Sequence, residues 1–155
     1  MSTPIWFLWV QTGASVAIFL TFLVYLRLLA AMKKGTGAQN AIFLIQVLQR
    51  SDTREARRRL LELEKSPYGE WSNEDKAFAS DAINPYEIAG ILIRQKLVEE
   101  DLIVRNWRVS ILKSFNAAGP LIHEARTAWD PRYWKNFEWL AGKAAQMRLE
   151  DPLGG

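Results

Sequence analysis

Residues 5–26 have the sequence IWFLWVQTGASVAIFLTFLVYL, in which no side chain is charged. At about 1.5 Å per residue, a helix over this stretch is about 33 Å long, enough to cross the hydrocarbon core of a bilayer. The alternative, a buried helix of a soluble protein, is disfavoured because the stretch has no polar face to turn toward water. The sequence therefore predicts a transmembrane helix, placed at residues 5–32, with residues 1–4 on the outer face.

Basic residues set the direction of this helix. None precedes it, whereas Arg27, Lys33 and Lys34 follow the apolar stretch closely. Because Lys and Arg are retained on the cytoplasmic side, we expect the N-terminus outside and the bulk of the chain in the cytoplasm. A cleaved signal peptide is disfavoured because no positively charged region comes first. The prediction is a single-pass protein of the inner (cytoplasmic) membrane.

Several residues of the predicted membrane helix suit contacts with lipid headgroups or with another helix. Aromatic and basic residues lie near its two ends, and small residues spaced four apart allow a second helix to approach closely. Gln11 either reaches the headgroups or hydrogen-bonds to another helix, and both alternatives stay open. The set comprises Trp6 and Trp9 at the outer interface, Gln11, Gly13 and Ala17 along the outer third, and Tyr25 and Arg27 at the inner interface.

Composition limits what the rest of the chain can be. The formal net charge is +3, from 20 basic and 17 acidic residues that interleave, so no part is strongly polycationic. The chain contains no cysteine, which excludes disulfides, thiolate catalysis and cysteine metal sites. After a hinge at residues 33–37, which holds two glycines, we expect one cytoplasmic helical domain at residues 38–148 and a tail at residues 149–155.

Helical spacing of apolar residues recurs along the whole domain. It predicts a helix over about 36–50 and a second over 52–65 with Asp52 as its cap. A third starts at Asn73 and is capped by Ser72. Three more start at 99–101, at 119–120 and at Asp130. At Asn84-Pro85 the helix either kinks or restarts with Asn84 as cap. No segment alternates with a period of two. The predicted fold class is all-α, one N-terminal transmembrane helix followed by a compact cytoplasmic bundle of about six helices.

The order of residues along the domain resembles a known family. Its motifs are Ile42-Phe43-Leu44, Ala56-Arg57, Asn84-Pro85-Tyr86-Glu87-Ile88-Ala89, Leu97-Val98-Glu99-Glu100, and then Trp107, Arg126, Tyr133, Phe137 and Leu140. Together with the anchor, they resemble an uncharacterised bacterial family of short, N-terminally membrane-anchored helical proteins, known only as a domain of unknown function. Pro85 and Lys96 stand where a helix former and a glycine would be expected. The resemblance implies an all-helical cytoplasmic domain and no established activity.

One pairing is a hypothesis within this resemblance. Arg57 would be partly buried against Glu87, and such a buried ion pair fixes helix register more than it adds stability. This structural pair is the one long-range contact that we predict between named side chains.

Groups able to carry catalysis are few. His123 is the only histidine, and His123-Glu124 lacks the second histidine that a zinc-protease helix needs four residues on, where Thr127 stands. Glu99, Glu100 and Asp101 are adjacent acids at a predicted helix start, the usual place for exposed partners of the helix dipole. We therefore predict no catalytic residue, no metal site and no cofactor.

Two clusters are better candidates for binding. The first is one helical side formed by Arg50, Arg54, Arg57 and Arg58. It could bind lipid headgroups, at about 1 kcal/mol per residue, an acidic partner or nucleic acid. The alternative is a solvated face balanced by nearby glutamates. The second cluster is aromatic. Its members, which either line the core or face a protein partner, are Trp129, Trp134 and Trp139.

The leading functional hypothesis is a non-catalytic accessory or structural subunit of a multi-subunit membrane complex. The kind of complex that we consider is an energy-transducing one, photosynthetic or respiratory. Its partners would be membrane lipid and other membrane-protein subunits, with no nucleic acid or small-molecule substrate expected. The alternative is a membrane-tethered signalling or defence module that binds a cytoplasmic ligand or nucleic acid through the arginine-rich helix, with an affinity that falls steeply with salt. An unrecognised enzyme is the third.

Overall fold

The computed structural model describes residues 36–147. The chain divides into two units, Met1–Ala38 and Gln39–Gly155. The predicted N-terminal segment, the membrane helix at 5–32, residues 33–35 of the hinge and the tail at 149–155 lie outside the described residues, whereas residues 36 and 37 are helical. Among the described residues, no helix combines the length and the apolar character needed to cross a membrane.

All regular elements between residues 36 and 147 are helices, and that part of the chain has no strand, as the sequence predicts. The helices are α1 at residues 36–49, α2 at Ser51–Leu63, α3 at Asn73–Arg94, α4 at Glu100–Ala117, α5 at Gly119–Ala128 and α6 at Lys135–Gln146, with a 3-10 turn at Tyr68–Glu70. The short helix predicted from Gly119-Pro120 to Ala128 is thus confirmed.

The two predicted N-caps have different outcomes. Ser72 caps α3 in a full capping box, because its hydroxyl accepts from the Asp75 amide at 3.1 Å while the Asp75 carboxylate accepts from the Ser72 amide at 3.0 Å. The prediction that Asp52 caps α2 is wrong. The helix begins at Ser51 with Arg50 at the N-cap position, two residues before the predicted cap, and Asp52 lies inside the first turn, where it pairs with Arg50 at 2.8 Å.

Helix α3 continues through Pro85 without restarting, so Asn84 is not a cap. Proline at this position removes the hydrogen bond that the Asp81 carbonyl would otherwise receive. Pro85 and its neighbour Tyr86 are both buried. Tertiary packing therefore outweighs the local cost of the proline and favours one long helix over two short ones.

A Schellman motif, with Lys96 at its left-handed position, follows the last residue of α3, Arg94. The Leu97 amide donates to the Leu92 carbonyl at 2.9 Å and the Lys96 amide to that of Ile93 at 2.9 Å, which places Lys96 at the left-handed position. Its φ is 57°. This is the position at which a glycine would be expected, so the backbone keeps the glycine geometry with a lysine in place.

Helix α6 starts later than predicted. Asp130 does not cap it, because its carboxylate is engaged by the Arg132 amide at 2.8 Å and by the Arg132 guanidinium at 3.0 Å. Residues 131–134 form a turn instead. The helix begins at Lys135, after Trp134, which is buried and has a φ of 49°.

Helix α3 lies at the centre of the packing and contacts both α2 and α6, while α6 also packs against α4. The largest side chains with no exposed surface are Tyr86 and Phe137, whose rings stack with centroids 5.3 Å apart. Gly90 permits the closest approach of α3 to α6. A Cβ atom there would fall onto the backbone carbonyl of Asn136, so no larger residue fits without moving a helix.

We expect Lys96→Gly to raise the free energy of unfolding by about 0.5–1 kcal/mol, because it removes the steric cost of the left-handed position. Urea unfolding of the full chain in mild detergent, followed by circular dichroism, measures the change. The matched control is Gln95→Gly at the preceding residue, whose φ of −80° suits any side chain and which should lose stability. Equal losses of unfolding free energy in both variants would contradict the left-handed conformation of Lys96.

We expect Gly90→Ala to lower the free energy of unfolding by about 3 kcal/mol, because the added methyl group overpacks a helix contact made by backbone atoms. Gly142 supplies the control, since it lies in α6 with no atom within 4 Å of an added Cβ. Gly142→Ala should stabilise the chain by about 0.5–1 kcal/mol through helix propensity. The same unfolding experiment separates them, and a Gly90→Ala variant as stable as the parent would refute the close approach.

Candidate functional site

A carboxylate from α3 caps the first turn of α6. The Glu87 carboxylate accepts from the Phe137 amide at 2.7 Å and from the Asn136 side-chain amide at 2.6 Å. Amides in the first turn of a helix have no partner within the helix, and negative charge there is favoured by the helix dipole. Trp134, at the N-cap position, carries only a side-chain donor and makes no cap of its own. Glu87 supplies the missing acceptor.

Two further side chains of α3 hold the same turn. The Asn84 side-chain oxygen accepts from the Trp134 indole N–H at 2.9 Å, and the Arg94 guanidinium donates to the Asn136 side-chain oxygen at 2.8 Å. Residues 84, 87 and 94 lie on one side of a helix because they are three and seven positions apart. The motif Asn84-Pro85-Tyr86-Glu87 therefore serves to attach α6.

The predicted pair between Arg57 and Glu87 does not form. Arg57 instead donates to the Leu48 carbonyl at 2.7 Å, in the last turn of α1, where carbonyls lack helical partners and a cation is favoured. Glu87 is bonded to α6. Both predicted residues thus have structural roles, but each caps a helix end and neither neutralises the other.

Tyr86 brings a hydroxyl group into the buried core and is in contact with polar side chains there. Its hydroxyl lies 2.7 Å from the Ser110 hydroxyl, and its ring lies under the Arg57 guanidinium, 5.7 Å from ring centroid to central carbon. Burial raises the pKa of Tyr86 above that of an ordinary tyrosine, while the charge of Arg57 acts in the opposite direction. The phenol therefore stays protonated at neutral pH and can both donate and accept.

The other predicted arginines do not form one free basic face. Arg50 pairs with Asp52 at 2.8 Å, and Arg58 pairs with Glu55 at 2.5 Å and with a second glutamate of α2. These exposed pairs contribute little stability, but they cancel charge. Arg54 is exposed, whereas Arg57 turns inward, so the structure does not bring the four residues together.

The predicted partner aromatics divide by exposure. Trp134 is buried at 8% exposure, Trp139 is half-buried between two cations, and Trp129 is 74% exposed. Ring contacts join Trp129 to Tyr133, with centroids 5.7 Å apart, and Tyr133 to Trp134, at 5.4 Å. We call Trp129, Tyr133 and Trp134 the aromatic edge. Tyr133 is not among the predicted partner aromatics, because the sequence places it within a helix that begins after Asp130, whereas it lies in the turn before α6 and is 40% exposed.

His123 and Glu124 both lie on α5. His123 is exposed, while Glu124 accepts from the Tyr68 hydroxyl and from the Lys76 ammonium, the latter at 2.9 Å. The hydrogen bond from Tyr68 is the main reason why the pKa of Glu124 is lowered, and the one from Lys76 adds to it. No group of three or more possible ligands is found among residues 36–147.

The acids Glu99, Glu100 and Asp101 occupy the N-cap and the first turn of α4, where the helix dipole favours negative charge. Glu100 lies 3.4 Å from the Lys143 ammonium and Asp101 lies 3.7 Å from the Arg105 guanidinium, while Glu99 occupies the N-cap position. The residues predicted to act in the membrane helix lie outside the described range, so their roles stay predictions. They are Trp6, Trp9, Gln11, Gly13, Ala17, Tyr25 and Arg27.

The described residues thus define an all-helical domain whose named motif residues hold helices together. A family model, Domain of unknown function (DUF4760), matches residues 12–144, and the chain belongs to this family. The uncharacterised family expected from the motifs is confirmed to that extent. No curated protein and no solved structure matches the chain.

We expect Glu87→Ala to lower the free energy of unfolding by about 2 kcal/mol, because it leaves the first turn of α6 without its charged acceptor. Hydrogen exchange at the Phe137 amide should accelerate in the same variant. Glu62→Ala, which removes one exposed pair on α2, is the control and should change stability by less than about 0.5 kcal/mol. Unaltered exchange at Phe137 would contradict the capping role of Glu87.

Proposed function

We propose that the protein is a non-catalytic accessory subunit of a multi-subunit membrane complex, held by the N-terminal anchor in the inner membrane of a bacterium. The N-terminus lies outside, and the helical domain lies in the cytoplasm, where it docks on another subunit and braces the complex. An energy-transducing complex, photosynthetic or respiratory, is the kind of host proposed. Two features support this role: the long apolar stretch within residues 5–32 and the aromatic edge of the described domain.

The aromatic edge carries this proposal because it combines exposure with rigidity. Trp129 is 74% exposed and Tyr133 is 40% exposed, and tryptophan and tyrosine are the residues that contribute most where proteins bind one another. Scattered exposed apolar residues are normal on any surface. Here two large rings are in contact, which makes a continuous apolar surface suited to burial by a partner.

The fold holds the aromatic edge in place before a partner binds. The Tyr133 carbonyl accepts from the Arg126 guanidinium at 2.9 Å, and Arg126 also pairs with Glu138 at 3.0 Å. Trp134 is fixed from the other side by Asn84. A surface ordered in advance loses less conformational entropy on binding, so these bonds support a docking role.

The bonding of the polar side chains also favours a binding protein over an enzyme. Two of the acids that have partners on other helices, Glu87 and Glu124, accept hydrogen bonds from the first turn of α6 and from Tyr68 and Lys76, respectively. A general acid or base needs a proton that it can exchange with a substrate. These carboxylates serve structural ends instead.

The alternative, a module that binds nucleic acid through α2, is less well supported by the charges. Binding to a polyanion depends on the number of phosphates that unpaired Lys and Arg residues can neutralise. Arg50 and Arg58 already have acidic partners. A nucleic-acid affinity that falls steeply between low and physiological salt would restore this alternative.

Purification of the full chain in mild detergent, with quantitative mass spectrometry of the proteins that travel with it, tests the accessory role. We expect a defined set of membrane proteins to accompany the parent. The double change Trp129→Ala with Tyr133→Ala should reduce their recovery at least about tenfold, because truncating each interface aromatic costs about 2 kcal/mol of binding.

Leu102→Ala provides the control, since Leu102 is 39% exposed on α4 and its loss should leave recovery unchanged. Circular dichroism confirms that each variant is folded. Migration of the parent alone, as a small particle without companions, would count decisively against the accessory subunit. Equal recovery with parent and double variant would remove the aromatic edge from the proposal.

A further inference from the structure

A groove of about 380 Å³ lies between α2 and α4 and has a basic lining. Its cationic side chains are Arg57, Arg105, Arg108 and Lys113, of which Arg105 is paired with Asp101 outside the groove lining. No acid belongs to the described lining. The volume is within the range of small-molecule sites in proteins, about 300–1,000 Å³. Such a concentration of one sign of charge in a concave site attracts anions.

Arg57 is one of the two half-buried cations of the groove, with Arg108. One terminal nitrogen donates to the Leu48 carbonyl at 2.7 Å, while the other, Nη1, is buried and has no hydrogen-bond partner among the described residues. A buried donor without a partner destabilises the fold, and the effect is larger when the donor is charged. Arg57 belongs to the lining of the groove, so an anion bound there would lie beside a guanidinium that no carboxylate neutralises among the described residues.

Hydroxyl groups beside Arg57 extend the set of donors. Ser110 and Ser114 both belong to the lining, and the Ser110 hydroxyl lies 2.7 Å from that of Tyr86. When the Tyr86 hydroxyl donates to Ser110, the Ser110 hydrogen is available to a ligand. The buried phenol thus supports a serine donor next to the guanidinium.

Arg108 and Lys113 place further charge along the α4 wall. Arg108 is oriented by a hydrogen bond from its Nε to the Ala144 carbonyl at 2.9 Å, which fixes the guanidinium beside the end of α6. Lys113 is exposed and can follow a ligand with its flexible stem. Leu61 and Val109 add apolar wall, so the groove suits a ligand with both a charged and an uncharged part.

We propose that this groove binds the phosphate group of a small phosphorylated molecule or of a phospholipid, with Arg57 and Lys113 as charged contacts and Ser110 as a hydroxyl contact. A phosphate monoester has three terminal oxygens and a charge near −2, which matches several cations and hydroxyls better than a single carboxylate does. The ligand is bound and not transformed. The site is separate from the aromatic edge and does not depend on the accessory role.

Calorimetric titration of the full chain with inorganic pyrophosphate, in micelles of an uncharged detergent, tests the site. Binding should weaken about tenfold or more in Arg57→Gln, which removes charge-assisted hydrogen bonds, and severalfold in Lys113→Gln. Arg58→Gln is the matched control, because it removes the same charge from the next residue of α2, where the side chain faces solvent and pairs with acids. Acetate at equal ionic strength should not bind.

A second arm distinguishes the source of the phosphate. Phosphatidic acid added to the same micelles should raise the midpoint of thermal unfolding if a phospholipid is the ligand, with the same dependence on Arg57 and Lys113. Pyrophosphate binding without this rise assigns the groove to a soluble ligand. Lys113→Gln keeps the test decisive if Arg57→Gln does not fold.

Three outcomes would overturn the proposal. The first is that neither pyrophosphate nor phosphatidic acid has an effect. The second is that Arg58→Gln weakens binding as much as the groove variants do, since that would show a general charge effect. The third is that acetate binds as well as pyrophosphate.

Discussion

The first turn of α6 cannot satisfy its own amides, and the packing of the domain depends on the α3 carboxylate that does so. Glu87 reaches the Phe137 amide only because Gly90, one turn further along α3, lets the two helices approach to backbone contact. The approach also seats Phe137 against the Tyr86 ring. One short segment of α3 therefore supplies the cap (Glu87), the space for close helix contact (Gly90) and the buried ring that stacks on Phe137 (Tyr86). A change in any of the three disturbs the other two.

The part of the fold that local sequence controls could be predicted. Ser72 and Asp75 carry the spacing of a capping box, and Gly119-Pro120 carries that of a helix start, so both boundaries are found where expected. The start of α6 could not be predicted in this way. Asp130-Pro131 has the local pattern of a cap, but Arg132 takes the carboxylate, and the true start is fixed by Asn84 and Glu87 from a distant helix.

The candidate site shows the same limit. Helical spacing placed Arg57 with three other arginines, yet spacing says nothing of which acid or carbonyl a long side chain will reach. Arg58 finds glutamates on its own helix, whereas Arg57 reaches Leu48 and leaves one nitrogen buried. The abundance of tryptophan predicted a partner surface in general terms, but exposure depends on the turn before α6, which buries Trp134 and leaves Trp129 in solvent.

The cap on α6 has a consequence for the order of folding. Fifty residues separate Glu87 from Phe137 along the chain, and closing a loop of that length costs about 3.5 kcal/mol of chain entropy before any contact is gained. An isolated twelve-residue helix is marginal in water. Helix α6 should thus stay unfolded in the nascent chain until α3 and its neighbours have packed. Its folding then completes the described domain in a late, cooperative step.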